Sequence, residues 1–357
     1  MVQRQVRYVV PVSASAATGL VSRVYRQIEE EMRLVVPPAL LHSPVPDLLA
    51  AYWMLMREPL LPAGAVDRGT KEAAAAAVSV ATICPYCAEM HSVSMYDLSD
   101  EHDAEAVAGD HVDEMRDPWL REVAAWARGA HELDAPTPMP AALSPAARTE
   151  LIGVVVSLHY LTRMVNVFLS NFLLPPGLGP RARRRFKQGA SRIMRPTLRD
   201  PREPGRSLAL LPEAALPGAA LPADAGWAGG SPAVAQAVAG SYAAFEAAGV
   251  RSVPPAVRAV VLERLSRWRG EETGLSTAWC EDLIAGLPPA ERATGRLALL
   301  TALASYQVGE DVVAEFRRYH PDDATLIEAA AWASFSAARL IGERQGRVAD
   351  APANRAR

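Results

Sequence analysis

Lys71–His91 reads KEAAAAAVSVATICPYCAEMH and holds two of the chain's three cysteines, as Cys84-Pro85-Tyr86-Cys87. An alanine-rich run of helical character leads into the pair and carries one acid, Glu72. His91 follows Cys87 by four residues, one helical turn along the same face. A Cys-x-x-Cys pair opens and closes a disulfide within one turn of chain, so two-electron chemistry needs no large movement. With Pro85 in the first turn of a helix, where its missing N–H costs nothing, the helix N-terminus favours a thiolate. His91 is then placed to accept or relay a proton, and Glu72 to orient it.

Three readings of the pair compete: redox centre, metal half-site, inert cysteines. Zinc usually takes four ligands from paired motifs, and no second Cys-x-x-Cys or His-x-x-x-His follows. Cys84, Cys87 and His91 with a carboxylate still make a ligand set. A thioredoxin-type site is disfavoured, because a long helix and not a strand precedes Cys84. Redox chemistry leads. Twelve residues of straight helix span roughly 18 Å, so Glu72 reaches His91 only if the chain turns near Thr82 to Pro85. The residue before a proline avoids the α region, which sets the turn at Cys84, with room for a water between acid and imidazole.

Glu72, Cys84, Cys87 and His91 at this spacing resemble the signature of the alkylhydroperoxidase D-like branch of the carboxymuconolactone decarboxylase family. Asp67-Arg68 before the run and Ser-Val-x-Met-Tyr-Asp-Leu after the histidine are similar too. The resemblance implies an all-α fold, helical-bundle oligomers and a peroxide- or disulfide-active pair. It makes Cys87 the attacking thiol, Cys84 the resolving thiol, and Glu72 and His91 the proton relay. Peroxidase members often carry a second histidine between the cysteines; Tyr86 stands there, and a phenol is no base near neutral pH. Decarboxylation is not implied.

Composition agrees with an ordinary globular chain: 357 residues, 50% hydrophobic, 22% charged, net charge −3. That length suits two domains, and the charge implies neither nucleic acid nor an anionic membrane as partner. Three cysteines make no secreted disulfide framework. No apolar run approaches the roughly 20 residues of a membrane span, Arg4 and Arg7 interrupt the start, and the default expectation is cytoplasmic. No Gly-x-Gly-x-x-Gly loop appears, so no nucleotide cofactor is expected.

Helices are expected over 16–33 and 47–56, the latter with a core stripe of Leu48, Leu49, Tyr52, Trp53 and Met56. Residues 99–118, acidic with His102 and His111, read as a surface loop. Pro118 opens a helix with Trp119, Val123 and Trp126 inward. Ser144-Pro145 opens the most apolar helix, carrying His159 as a core histidine and Arg163, whose charge calls for a buried acid. Residues 1–175 thus form a helical repeat carrying the redox site. Residues 176–230, basic from Arg181 to Arg195 and then Ala/Pro/Gly-rich, read as a solvated linker lying against the acidic remainder.

Residues 231–345 read as a second, degenerate copy, followed by a flexible tail, 346–357. Ser231-Pro232 repeats Ser43-Pro44, Arg258 takes the place of Arg68, and Arg339 falls in register with Arg163. In that register Leu262 replaces Glu72, Gly274 and Thr277 replace the cysteines, and Glu281 replaces His91. Cys280 reads as a small buried hydrophobe. The expectation is therefore an all-α protein of two tandem alkylhydroperoxidase D-like repeats with one live site. It takes a hydroperoxide or disulfide as substrate, needs no metal or cofactor, and is restored by an external dithiol or reductase protein, with a homo-oligomer as a further assembly. The rivals are a zinc-binding or structural helical protein, and a cofactor-free decarboxylase or isomerase using Glu72 and His91.

Overall fold

Proline punctuates this chain, and nine of the fifteen α-helices among the described residues begin at one. The computed structural model describes residues 5–170, 177–210 and 220–350. The first half is built from α1 (Gly19–Met32), α2 (Pro37–His42), α3 (Pro46–Leu60), α4 (Arg68–Ala81), α5 (Pro85–Leu98), α6 (Glu101–Ala108), α7 (Pro118–Gly129) and α8 (Pro145–Phe168). There follow α9 (Pro180–Arg199), α10 (Pro232–Ser252), α11 (Pro255–Arg267), α12 (Ala278–Ile284), α13 (Pro289–Leu303), α14 (Glu310–Arg317) and α15 (Asp323–Asp350). Among the described residues no strand forms beyond one isolated bridge, Val6 to Leu169, so the fold is all-α. Pro in the first turn wastes no backbone donor, and side-chain caps satisfy the donors beside it: Ser144 Oγ accepts from Ala147 N at 3.2 Å, Asp117 Oδ1 from Trp119 N at 2.8 Å.

Helices α3, α8, α10 and α15 pack together at the centre. Their contact is aromatic: Tyr160 and Phe245 ring centroids lie 4.5 Å apart, as do those of Tyr242 and Phe335. Polar groups there are spent on backbone; Ser241 Oγ donates to Ala51 O at 2.9 Å and Ser334 Oγ to Tyr160 O at 2.7 Å. Gly249 on α10 is needed for this approach, since a Cβ would stand 2.1 Å from Trp332 Cδ1 of α15. One hydrophobic core runs from Val9 to Ile341.

Several expectations change. α8 has the length and apolar character of a membrane-spanning helix, against the reading that no run does, but its apolar window is wholly buried inside the fold. Residues 99–118 are not a plain loop: Asp100 caps α6, and buried Asp103 accepts from Arg116 N at 2.6 Å and Asp117 N at 3.0 Å. Trp119 points to the surface, 36% exposed, and donates to Thr70 Oγ1 at 3.1 Å. The basic run is no bare linker; it is the 20-residue helix α9, packed on α5. The second half of that expected linker falls partly on 211–219, outside the described residues. Residues 346–350 of the expected tail continue α15, and 351–357 lie outside the described residues. Cys280 is fully buried, as expected.

Candidate active site

The turn between α4 and α5 builds the site. Asp67 caps α4, Oδ1 accepting from Thr70 N at 3.0 Å. At the far end Cys84 N donates to Ser79 O at 2.9 Å and Ile83 N to Val80 O at 2.9 Å, the paired bonds of a Schellman closure. Ile83 therefore occupies the left-handed region, φ +53°, which costs a β-branched residue about 1–2 kcal/mol. Cys84 becomes the N-cap of α5 and Pro85 its first residue. The chain turns as the proline required.

Folding α5 back on α4 brings His91 Nδ1 to 2.6 Å from Glu72 Oε2, with no water between them. Glu72 Oε1 takes Arg68 Nε at 2.7 Å and Nη2 at 2.6 Å. Burial by itself would raise the Glu72 carboxyl, but Arg68 and His91 together hold it down at about 2. The acid is thus ionised and orients His91 through Nδ1, leaving Nε2 for chemistry. Arg68 is a site residue not given a role from sequence; its signal was the i,i+4 spacing to Glu72.

Cys84 and Cys87 sit 3.1 Å apart as free, buried thiols. A disulfide is about 2.05 Å long, so closing it needs only a small shift. Burial first, then the neighbouring Cys84 thiol, pushes the Cys87 thiol well above its ordinary value. Burial thus opposes the thiolate that the helix N-terminus favours, and the Cys87 proton needs a partner to take it.

That partner faces the same space. A cavity of about 90 Å³ is lined by Cys87, Glu72, His91 and Arg68, whereas Cys84 does not reach it. The remaining wall is mostly apolar, from Met32, Tyr52, Met56, Leu161, Met194 and Leu198. Tyr86 also lines it; burial raises its phenol, so it stays neutral at physiological pH. Behind Tyr52, His42 stacks on its ring at 4.6 Å. His42 Nδ1 faces Pro38 O at 2.6 Å and Nε2 faces Tyr160 Oη at 2.7 Å, so burial, which lowers its pKa to about 4, leaves it a neutral spacer.

Helix α9 closes the cavity, which composition alone did not reveal. Met194, Thr197 and Leu198 line the cavity, while Arg195 Nε and Arg199 Nε donate to Asp97 of α5 at 2.6 and 2.7 Å. Further along, Arg183 pairs with Glu89 at 2.7 Å and Lys187 with Glu105 at 2.7 Å. Opposite charge on α5 and α6 is what seats this helix.

Arg163 does not find a buried acid. Its Nε donates to Ala302 O at 2.8 Å and its Nη1 to His159 O at 2.6 Å. Among the described residues no group of three or more His, Cys, Asp and Glu side chains is arranged to hold a metal ion.

No family model matches the chain. Over 350 residues it is 35% identical to a curated Mycobacterium tuberculosis protein named alkyl hydroperoxide reductase Rv2159c, and the match covers 98% of each chain. The chain belongs to the family of that alkyl hydroperoxide reductase.

Proposed function

We propose that this protein is a thiol-dependent peroxidase of the alkylhydroperoxidase D-like type, reducing organic hydroperoxides through Cys87 and Cys84. The observation that carries the reading is that Cys87, and not Cys84, shares one apolar cavity with the His91–Glu72 pair. The name of the Mycobacterium tuberculosis relative, alkyl hydroperoxide reductase, supports the same chemistry.

His91 Nε2 takes the Cys87 proton, and Glu72 stabilises the imidazolium so formed. The thiolate attacks the outer peroxide oxygen, the O–O bond breaks, and the alkoxide leaves with the proton from His91 as an alcohol. Cys87 is now a sulfenic acid. Cys84 attacks it, a water leaves, and the Cys84–Cys87 disulfide forms. An external dithiol or reductase protein returns two electrons and two protons. The apolar wall favours an alkyl substituent over a bare peroxide.

The same reading makes residues 231–345 a degenerate second repeat. Two facts support it. α3 packs on α10 and α8 on α15, so each helix meets its proposed counterpart, the pattern of a two-fold interface made within one chain. Arg339, the counterpart of Arg163, keeps a guanidinium at that register position, paired with Asp224 and Glu246.

Thiol titration of reduced, metal-free protein before and after one equivalent of an organic hydroperoxide tests the proposal. Two thiols should vanish within seconds while Cys280 still titrates. Survival of all three would overturn it.

A further inference from the structure

Helix α9 divides its charges between two faces. It carries seven arginines, one lysine and no acid. Five of these cations seat the helix: Arg183 on Glu89, Arg184 on Glu101, Lys187 on Glu105, and Arg195 and Arg199 on Asp97. The other three, Arg181, Arg185 and Arg192, are exposed and pair with no acid among the described residues. The whole chain's net charge of −3 implies no anionic partner, but that charge is unevenly spread.

The outward face is also apolar. Phe186 is 49% exposed and Ile193 82%. Seven residues apart, they lie about 10 Å from each other on one stripe of the helix. Gly189 between them is exposed and adds no bulk. Arg185 and Arg192 each precede one of the two by a single residue and so form a parallel row.

A row of free guanidiniums beside a row of exposed apolar side chains suits a helix lying in a lipid headgroup layer. The cations meet phosphates, and the apolar side chains reach the acyl boundary. We propose that α9 seats the protein on an anionic phospholipid surface through Arg181, Arg185, Phe186, Arg192 and Ile193. A nucleic acid would use the cations and leave Ile193 in water, and a second copy of this face would set arginine against arginine. Met194, next to the outward Ile193, lines the Cys87 cavity with Thr197 and Leu198. Docking therefore brings that cavity to the lipid surface, where the fitting substrate is a phospholipid hydroperoxide. This last step rests on the peroxidase reading; the docking does not.

Co-sedimentation of the full chain with vesicles tests the proposal, comparing equal parts phosphatidylglycerol and phosphatidylcholine with phosphatidylcholine alone. The anionic vesicles should bind about tenfold tighter or more, and less so as salt rises. Arg185→Glu with Arg192→Glu should weaken that binding about tenfold or more, and so should Phe186→Ser with Ile193→Ser. All four side chains are exposed, so both double variants should keep the wild-type melting temperature. Equal binding to the two vesicle types, no binding, or wild-type binding by either double variant overturns the proposal. Retention by the serine pair in particular would mark a general polyanion patch. Thiol loss with a water-soluble hydroperoxide reads the peroxidase chemistry separately, and there both double variants should match the wild type. Vesicle binding with no such thiol loss would sink the peroxidase reading and leave the docking standing.

Discussion

Glu72 Oε2 and His91 Nδ1 stand 2.6 Å apart although their residues lie nineteen positions apart in the chain. That contact exists because Ile83 accepts a left-handed conformation and Cys84 starts a new helix running back along the first. Arg68 on the other carboxylate oxygen keeps the acid ionised.

Glu72→Gln should therefore keep the hydrogen bond's geometry while losing its charge. Peroxide-dependent thiol loss is expected to slow by about 10²-fold, in the range of a general-base contribution. Stopped-flow rates on the reduced variant decide the matter, and wild-type rates would remove the acid from the relay.

The same carboxylate gives a stability window. Its folded pKa, about 2, lies below the ordinary 4.5. The unfolded chain therefore binds the proton more readily, so the stabilisation is complete above about pH 4.5 and drains away as pH falls toward 2. A difference of that size corresponds to about 3 kcal/mol. Melting temperature should drop across this interval more steeply in wild type than in Glu72→Gln; parallel curves would contradict the assignment.

Cys87→Ser should abolish reaction with a hydroperoxide, because no other thiol lines the cavity. Cys84→Ser should instead stop at one oxidised adduct on Cys87, visible as a single added oxygen by mass spectrometry. Equal behaviour of the two variants would undo the assignment of attacking and resolving thiols.

With Cys87 pushed up by burial, its alkylation by iodoacetamide should keep climbing through pH 9. Peptide mapping separates it from Cys280, whose thiol burial raises to about 11. A plateau below pH 7 would mean the helix terminus outweighs burial after all. Tyr86→Phe, by contrast, should leave the peroxide reaction within about threefold, since the raised phenol supplies no base.

Asp97 is the side chain on which α9 turns its two last arginines. Asp97→Asn should cost only about 1 kcal/mol, because both guanidiniums are largely exposed. It should nevertheless raise amide exchange of Met194, Thr197 and Leu198, which wall the cavity. Unchanged exchange would show that apolar contact alone holds the helix.

The site was legible wherever its chemistry was local. Cys84, Cys87 and His91 lie within two helical turns, and Pro85 marks the start of their helix, so spacing alone placed them together. Arg68 was visible only as a neighbour of Glu72, since an exposed i,i+4 pair and a buried one read alike. α6 reads as a loop because the stretch 99–118 carries eight acids against six apolar residues; the buried role of Asp103 depends on Arg116 and Asp117 folding back to it. Arg163 was expected to need an acid, and chain geometry offered it carbonyls instead.

By itself the sequence determined several helix starts at their prolines and, through its resemblance to a known family, the all-α class and the dithiol with its acid and imidazole. These rest on short-range preferences: φ of proline, side-chain caps and the 3.6-residue period. Only the tertiary structure decided that Cys87 faces the cavity and Cys84 does not, and that burial pushes the Cys87 thiol up. It alone seated the basic helix α9 as a wall of the site. Desolvation, cavity shape and charge pairing between distant segments are sums over the whole packed chain, and no local stretch of residues contains them.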